Sequence, residues 1–254
     1  MTVAVIGNSH AAVIAKAWNE VAQQTPDVSL EFFAATRHGV EDGIHVVGSK
    51  IPSSGRAGSE AGLSGDVDLT SFEAILVAGL RRDVSSLVRL HRTYQPESHR
   101  SNTAKKKLVS DALFLEMARA DRERSLAVTL ARDIRGSVDV PILLIPHPYP
   151  SLTAVANQSA LWAEIHETGD AARLMALFEM VNDELTTEFS VIAQPSDTLV
   201  APLFTDPRYT HDSGFFRDPD RPSLGPEDYH MNVEFGHIQL SLVLERLRMV
   251  SRVA

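Results

Sequence analysis

Apolar positions along this chain follow two rhythms. Val3-Ala4-Val5-Ile6, Val28 to Phe33, Phe72 to Ala78 and Asp139 to Pro146 are short and rich in β-branched or aromatic residues. Such stretches read as strands, and the last two are apolar enough for burial on both faces. Ile44 to Val47 and Thr198 to Pro202 are shorter strand candidates. Between them apolar residues recur every three or four positions, predicting helices over Ala11 to Val21, Thr103 to Ile134, Ser159 to Phe189 with a break near Gly169, and Val233 to Met249. Pro26-Asp27 turns the first helix into the second strand, and Gly136 with Pro141 stops the long helical stretch. Strands alternating with helices predict an α/β fold, a three-layer α/β/α sandwich around a mostly parallel sheet, in one domain spanning 1–254.

Ser49 to Asp68 interrupts this regularity with Gly55, Gly58, Gly62 and Gly65. It is too long for a simple connection, which marks either a disordered stretch or a functional loop, and a functional loop is expected here. Composition narrows the partners. A net charge of −9, from 33 acidic and 24 basic residues, disfavours nucleic acid and anionic membrane surfaces. The basic cluster of Arg100 and Lys105-Lys106-Lys107 lacks interleaved aromatics and reads as a solvated helix start. There is no cysteine, hence no disulfide framework and no thiolate nucleophile. No apolar run approaches the roughly 20 residues a membrane span needs. The N-terminus carries no basic region, so the chain reads as cytoplasmic.

The densest chemistry lies at the two ends. Gly7-Asn8-Ser9-His10 joins the first strand to the first helix, placing the Ser9 hydroxyl at a strand's carboxyl end and its N–H at a helix start. That position suits attack on a carbonyl, provided a base is near. Gly225-Pro226-Glu227-Asp228-Tyr229-His230 supplies a histidine with two carboxylates just before the last helix. A parallel sheet brings such junctions to one edge. Pro146-His147-Pro148-Tyr149-Pro150 follows another strand, where substrate-lining loops occur, so His147 is a candidate substrate contact. His10 reads as a pocket wall or a packing residue. Without cysteine no cysteine metal site can form, and neither a metal nor another cofactor is expected.

Gly7-Asn8-Ser9-His10 resembles the nucleophile block of the SGNH (GDSL-type) hydrolases, with Asn8 where the family usually carries Asp. Glu227-Asp228-Tyr229-His230 resembles the family's closing Asp-x-x-His block, with Glu227 at the Asp position. The resemblance implies a flavodoxin-like sheet and a serine esterase or acyltransferase. Its triad is Ser9, His230 and Glu227, with Asp228 an alternative orienter, and its substrate a small-molecule or carbohydrate ester. It places the oxyanion donors at the Ser9 N–H and at a glycine of the long loop, Gly62 among them. A third block falls at Gly79-Leu80-Arg81, where Arg81 replaces the family's oxyanion-binding asparagine, leaving Arg81 as donor or anion ligand. The rivals are a binding protein that keeps the fold without catalysis, an α/β-hydrolase elbow with too few preceding strands, and a dinucleotide-binding domain. The last lacks the acidic residue expected at the end of the second strand, where Phe32-Phe33-Ala34-Ala35 stands.

Overall fold

The structure, a computed structural model, describes residues 1–34, 44–52, 66–99, 106–153, 160–210 and 230–250. Strand β1 (Thr2–Gly7) feeds helix α1 (Ser9–Val21), which Asn8 caps by accepting the His10 N–H through its side chain. Next come β2 (Ser29–Ala34), β3 (Lys50–Ile51), β4 (Val67–Asp68) and β5 (Ala74–Ala78). Helix α2 (Val84–Thr93) and the short strands β6 (Tyr94–Pro96) and β7 (Lys107–Val109) follow. Then α3 (Asp111–Glu123) and α4 (Leu126–Ser137) lead to β8 (Ile142–Ile145). The chain continues through α5 (Ala160–Glu167), α6 (Asp170–Asp183), β9 (Ser190–Val191), β10 (Leu199–Ala201), β11 (Phe204–Thr205) and α7 (Val233–Val250).

Five strands form one parallel sheet in the order β2-β1-β5-β8-β9. Alternate side chains of the same strands bury on opposite faces, which is why the runs are continuously apolar. Ala4, Ile6, Ile75, Val77, Ile142 and Leu144 pack on Val128, Ala131 and Ile134 of α4. Val3, Val5, Leu76 and Ile145 pack on Ile14 and Trp18 of α1 and on Val243 and Leu247 of α7. Helices thus cover both faces, as a three-layer α/β/α sandwich requires. A further apolar cluster joins α2, α3 and α6 through Val88, Phe114, Leu174 and Phe178, with Tyr149 and Phe204. Among the described residues no helix is long and apolar enough to cross a membrane.

Several elements depart from the sequence expectation, each for a local reason. The 103–134 stretch is two helices, because Ser125 takes an extended conformation and starts the second; its hydroxyl donates to Arg122 O at 2.7 Å. Lys107 opens a strand parallel to β6 rather than a helix, and Lys106 is buried against Glu164 at 2.7 Å; Arg100 and Lys105 lie outside the described residues. One edge of the sheet is β9, half-buried and only two residues long, too brief for an apolar run to announce it. Thr198 to Pro202 instead supplies β10, which pairs with β11 in a separate hairpin. In the Ile44 to Val47 stretch only Val47 forms a bridge, to Lys50. Gly169, at φ +76°, separates α5 from α6 as expected.

The order places β1 between β2 and β5, so the chain moves one way across the sheet and then crosses to the other side. Where connections diverge in this way, a crevice opens beyond the carboxyl ends of the strands. Ser9 stands at that edge of β1.

Candidate functional site

Three loops meet at the crevice: Asn8-Ser9-His10 after β1, Gly79 to Asp83 after β5, and Pro146-His147 after β8. Gly79 N donates to Ile145 O at 2.8 Å, and His147 N donates to Arg82 O at 2.8 Å, stitching the second loop to the third. Three successive residues, Gly79, Leu80 and Arg81, have φ of +77°, +48° and +62°. For the two that carry side chains this left-handed backbone costs about 1–3 kcal/mol each. Burial of Leu80 and the bond from Ala127 N to Leu80 O at 2.9 Å hold the loop there. Gly79 has a steric reason as well, since a Cβ would lie 2.5 Å from Asn8 Oδ1 and 2.8 Å from His147 Cδ2.

Asn8 connects the first loop to the third. Its Oδ1 accepts the His10 N–H at 3.1 Å, so its Nδ2 faces His147 Nε2, 3.0 Å away. An amide nitrogen only donates, so His147 Nε2 is an acceptor and its proton sits on Nδ1. Burial holds the His147 pKa below the ordinary value, against the pull of the Asp83 carboxylate, and His230 lowers it further. His10 lies well below its usual value, first through burial and then through His147 and His230. Its ring is 4.1 Å from that of His147 and 6.0 Å, nearly parallel, from that of His230. His10 and His147 are therefore both held towards the neutral form.

His230 comes from the far end of the chain and is exposed at the rim. Its backbone is set by the residues that follow. Asn232 N donates to Tyr209 O at 2.6 Å, its side chain donates to Arg208 O at 2.7 Å, and its Oδ1 accepts the Phe235 N–H at 3.2 Å, starting α7. Met231, Tyr209 and Phe235 pack on Val13 of α1. Gly236 permits the helices to meet, for a Cβ there would fall 2.5 Å from Val13 O. Both ends of the polypeptide are thus brought to one edge, with His230 alongside the residue that follows Ser9.

The remaining expected residues are placed as follows. Ser9 is the first residue of α1, half-buried, with no intrahelical carbonyl for its N–H to reach. The Gly79 N–H is taken by Ile145, so this glycine contributes space rather than a donor. Arg81 is exposed on the β5 loop, whereas Arg82 turns inward, donating to Asn182 Oδ1 at 2.7 Å and covering the Phe178 ring at 4.5 Å. Burial pushes its guanidinium down to about 10. Glu227 and Asp228, and Gly55, Gly58, Gly62 and Gly65, lie outside the described residues.

Sequence reasoning missed the role of Asn8, whose only signal was an amide residue before a helix. It also missed a second group. Near the ends of α2 and β6, His91 and His99 meet Asp170, the first residue of α6, with one donor atom from each within 4.8 Å of the others. All three side chains are buried, and the first and last lie 79 positions apart, so no local spacing could reveal them. No family model and no curated protein sequence matches this chain.

Proposed function

We propose that this chain is a serine hydrolase or acyltransferase acting on esters, small or carbohydrate-borne, with Ser9 as nucleophile and His230 as base. The observation that carries the reading is the meeting of the α1 start and the His230 segment at the crevice where the connections after β1 and β5 diverge. The resemblance of both end blocks to SGNH hydrolases supports the same roles. Ser9 Oγ attacks the ester carbonyl while His230 takes its proton, and His230 returns that proton to the leaving alkoxide. Water, or a second alcohol in transfer, then releases the acyl group by the reverse proton traffic. The Ser9 N–H stabilises the oxyanion at the positive end of α1. Glu227 or Asp228 orients His230. His147 is excluded as the base, because its acceptor nitrogen is already held by Asn8.

A second reading is a binding protein that keeps this fold without turnover, favoured by Arg81 standing exposed where an oxyanion-binding asparagine is expected. Loss of one such donor costs about 3–4 kcal/mol of transition-state stabilisation. A screen of short-chain nitrophenyl and acetylated-sugar esters, run beside Ser9→Ala and His230→Ala, separates the two. Turnover abolished by both substitutions supports the hydrolase. Its absence across the panel, with acetylated sugars still binding, supports the second reading.

A further inference from the structure

We propose that His91, His99 and Asp170 form a binding site for one divalent transition-metal ion of the zinc class. The site is separate from the crevice and does not depend on the function proposed above. The carboxylate and imidazoles come from three elements: His91 from the last turn of α2, His99 from the turn after β6, and Asp170 from the start of α6.

Three imidazole nitrogens need a partner that the described residues do not give them. Among the described residues, both ring nitrogens of His91 and Nδ1 of His99 are buried without a hydrogen bond. His91 is 0% exposed and Asp170 is 0% exposed. Leaving such a group unpaired costs about 1–3 kcal/mol, and this cluster collects three. His91 Nε2 stands 3.6 Å from Asp170 Oδ2, too far for a good hydrogen bond. It is close to the separation of about 3.4 Å that tetrahedral bonds of about 2.0–2.1 Å impose on neighbouring ligand atoms. The full set, within 4.8 Å, closes on an ion with shifts of about an ångström.

The surroundings are compatible with a cation. Arg173 approaches the other oxygen, Asp170 Oδ1, at 3.5 Å, while Thr168 Oγ1 donates to Oδ2 at 3.2 Å. The Lys106 ammonium pairs with Glu164 at 2.7 Å, though its charge still reaches both imidazoles. Phe114 lies against both imidazoles, with ring centroids at 6.3 and 6.0 Å, and provides an apolar wall. Two imidazoles and one carboxylate suit zinc or cobalt better than calcium or magnesium, and a water completes four-coordination. The ion would tie α2, the β6 turn and α6 together.

The test uses the full chain, stripped with EDTA and titrated with ZnCl2 by calorimetry, with bound zinc counted by elemental analysis. Cobalt replacement adds a visible absorption signature of tetrahedral geometry. The variants are Asp170→Asn and His99→Gln, each checked for native circular dichroism, with His230→Ala as control for the crevice histidines. The expected result is one zinc per chain and a higher Tm with metal. Binding is retained in His230→Ala and weakened roughly 100-fold or more in whichever of the other two variants folds. No uptake by the unsubstituted chain overturns the proposal, as does uptake that His230→Ala abolishes or that folded Asp170→Asn and His99→Gln leave unchanged.

Discussion

Replacing Gly79 by alanine tests the packing on which the crevice depends. The added methyl meets two obstacles. The backbone sits at φ +77°, where an L-residue pays about 1–2 kcal/mol. The Cβ also lands 2.5 Å from Asn8 Oδ1 and 2.9 Å from His147 Nε2, so the bond between Asn8 and His147 must break or shift. Leaving that half-buried donor and acceptor unmatched adds up to about 1–3 kcal/mol. Gly48 separates the two contributions, since at φ +61° it has no atom within 4 Å of its virtual Cβ and Gly48→Ala pays for the backbone alone. Urea unfolding of both variants in EDTA should show Gly79→Ala the less stable by about 1–3 kcal/mol. Nitrogen NMR of His147 should show Nε2 losing its hydrogen-bonded acceptor shift. Equal destabilisation of the two variants would refute the account of how the three loops are locked.

Further expectations follow from the same structure. Gly236→Ala forces a Cβ to 2.5 Å from Val13 O and should cost about 1–3 kcal/mol while displacing His230, so ester turnover should fall further than stability alone explains; urea melts and kinetics measured together check this. Burial pushes His91 down to about 4 in the folded state, and Lys106 and His99 act in the same direction, whereas the unfolded chain binds that proton near pH 6.5. Its contribution to stability is therefore complete above about pH 6.5 and is lost as pH falls towards about 4, amounting to about 2 kcal/mol between pH 7 and pH 5. Denaturant midpoints of metal-free protein should fall over that interval, and His91→Gln should flatten the fall. Glu184→Gln removes the anion shared by Arg119, at 2.5 Å, and the buried Arg122, at 2.7 Å; calorimetric melting should show a loss of about 1–2 kcal/mol, smaller at high salt.

Legibility in the sequence tracked how locally each feature is encoded. The central strands were plain because burial on both faces leaves no polar position in Ala74–Ala78 or Ile142–Ile145. Ser190–Val191 was invisible because a two-residue edge strand carries no period. The split between α3 and α4 turned on the single conformation of Ser125, which the continuing apolar rhythm concealed. Near the crevice, the junctions that present Ser9 and His230 could be read from strand and helix boundaries. The bond from Asn8 to His147 could not, because it spans 139 positions and depends on where two loops meet. The same holds for His91, His99 and Asp170, which only the packing of α2 and α6 assembles.

The measurement that bears most directly on the central claim is labelling by a fluorophosphonate, with the modified peptide mapped by mass spectrometry. A serine activated at the α1 start by His230 reacts at Ser9, at a rate that collapses in His230→Ala while circular dichroism and Tm hold. Labelling that ignores the His230 substitution, or that maps away from Ser9, would contradict the account.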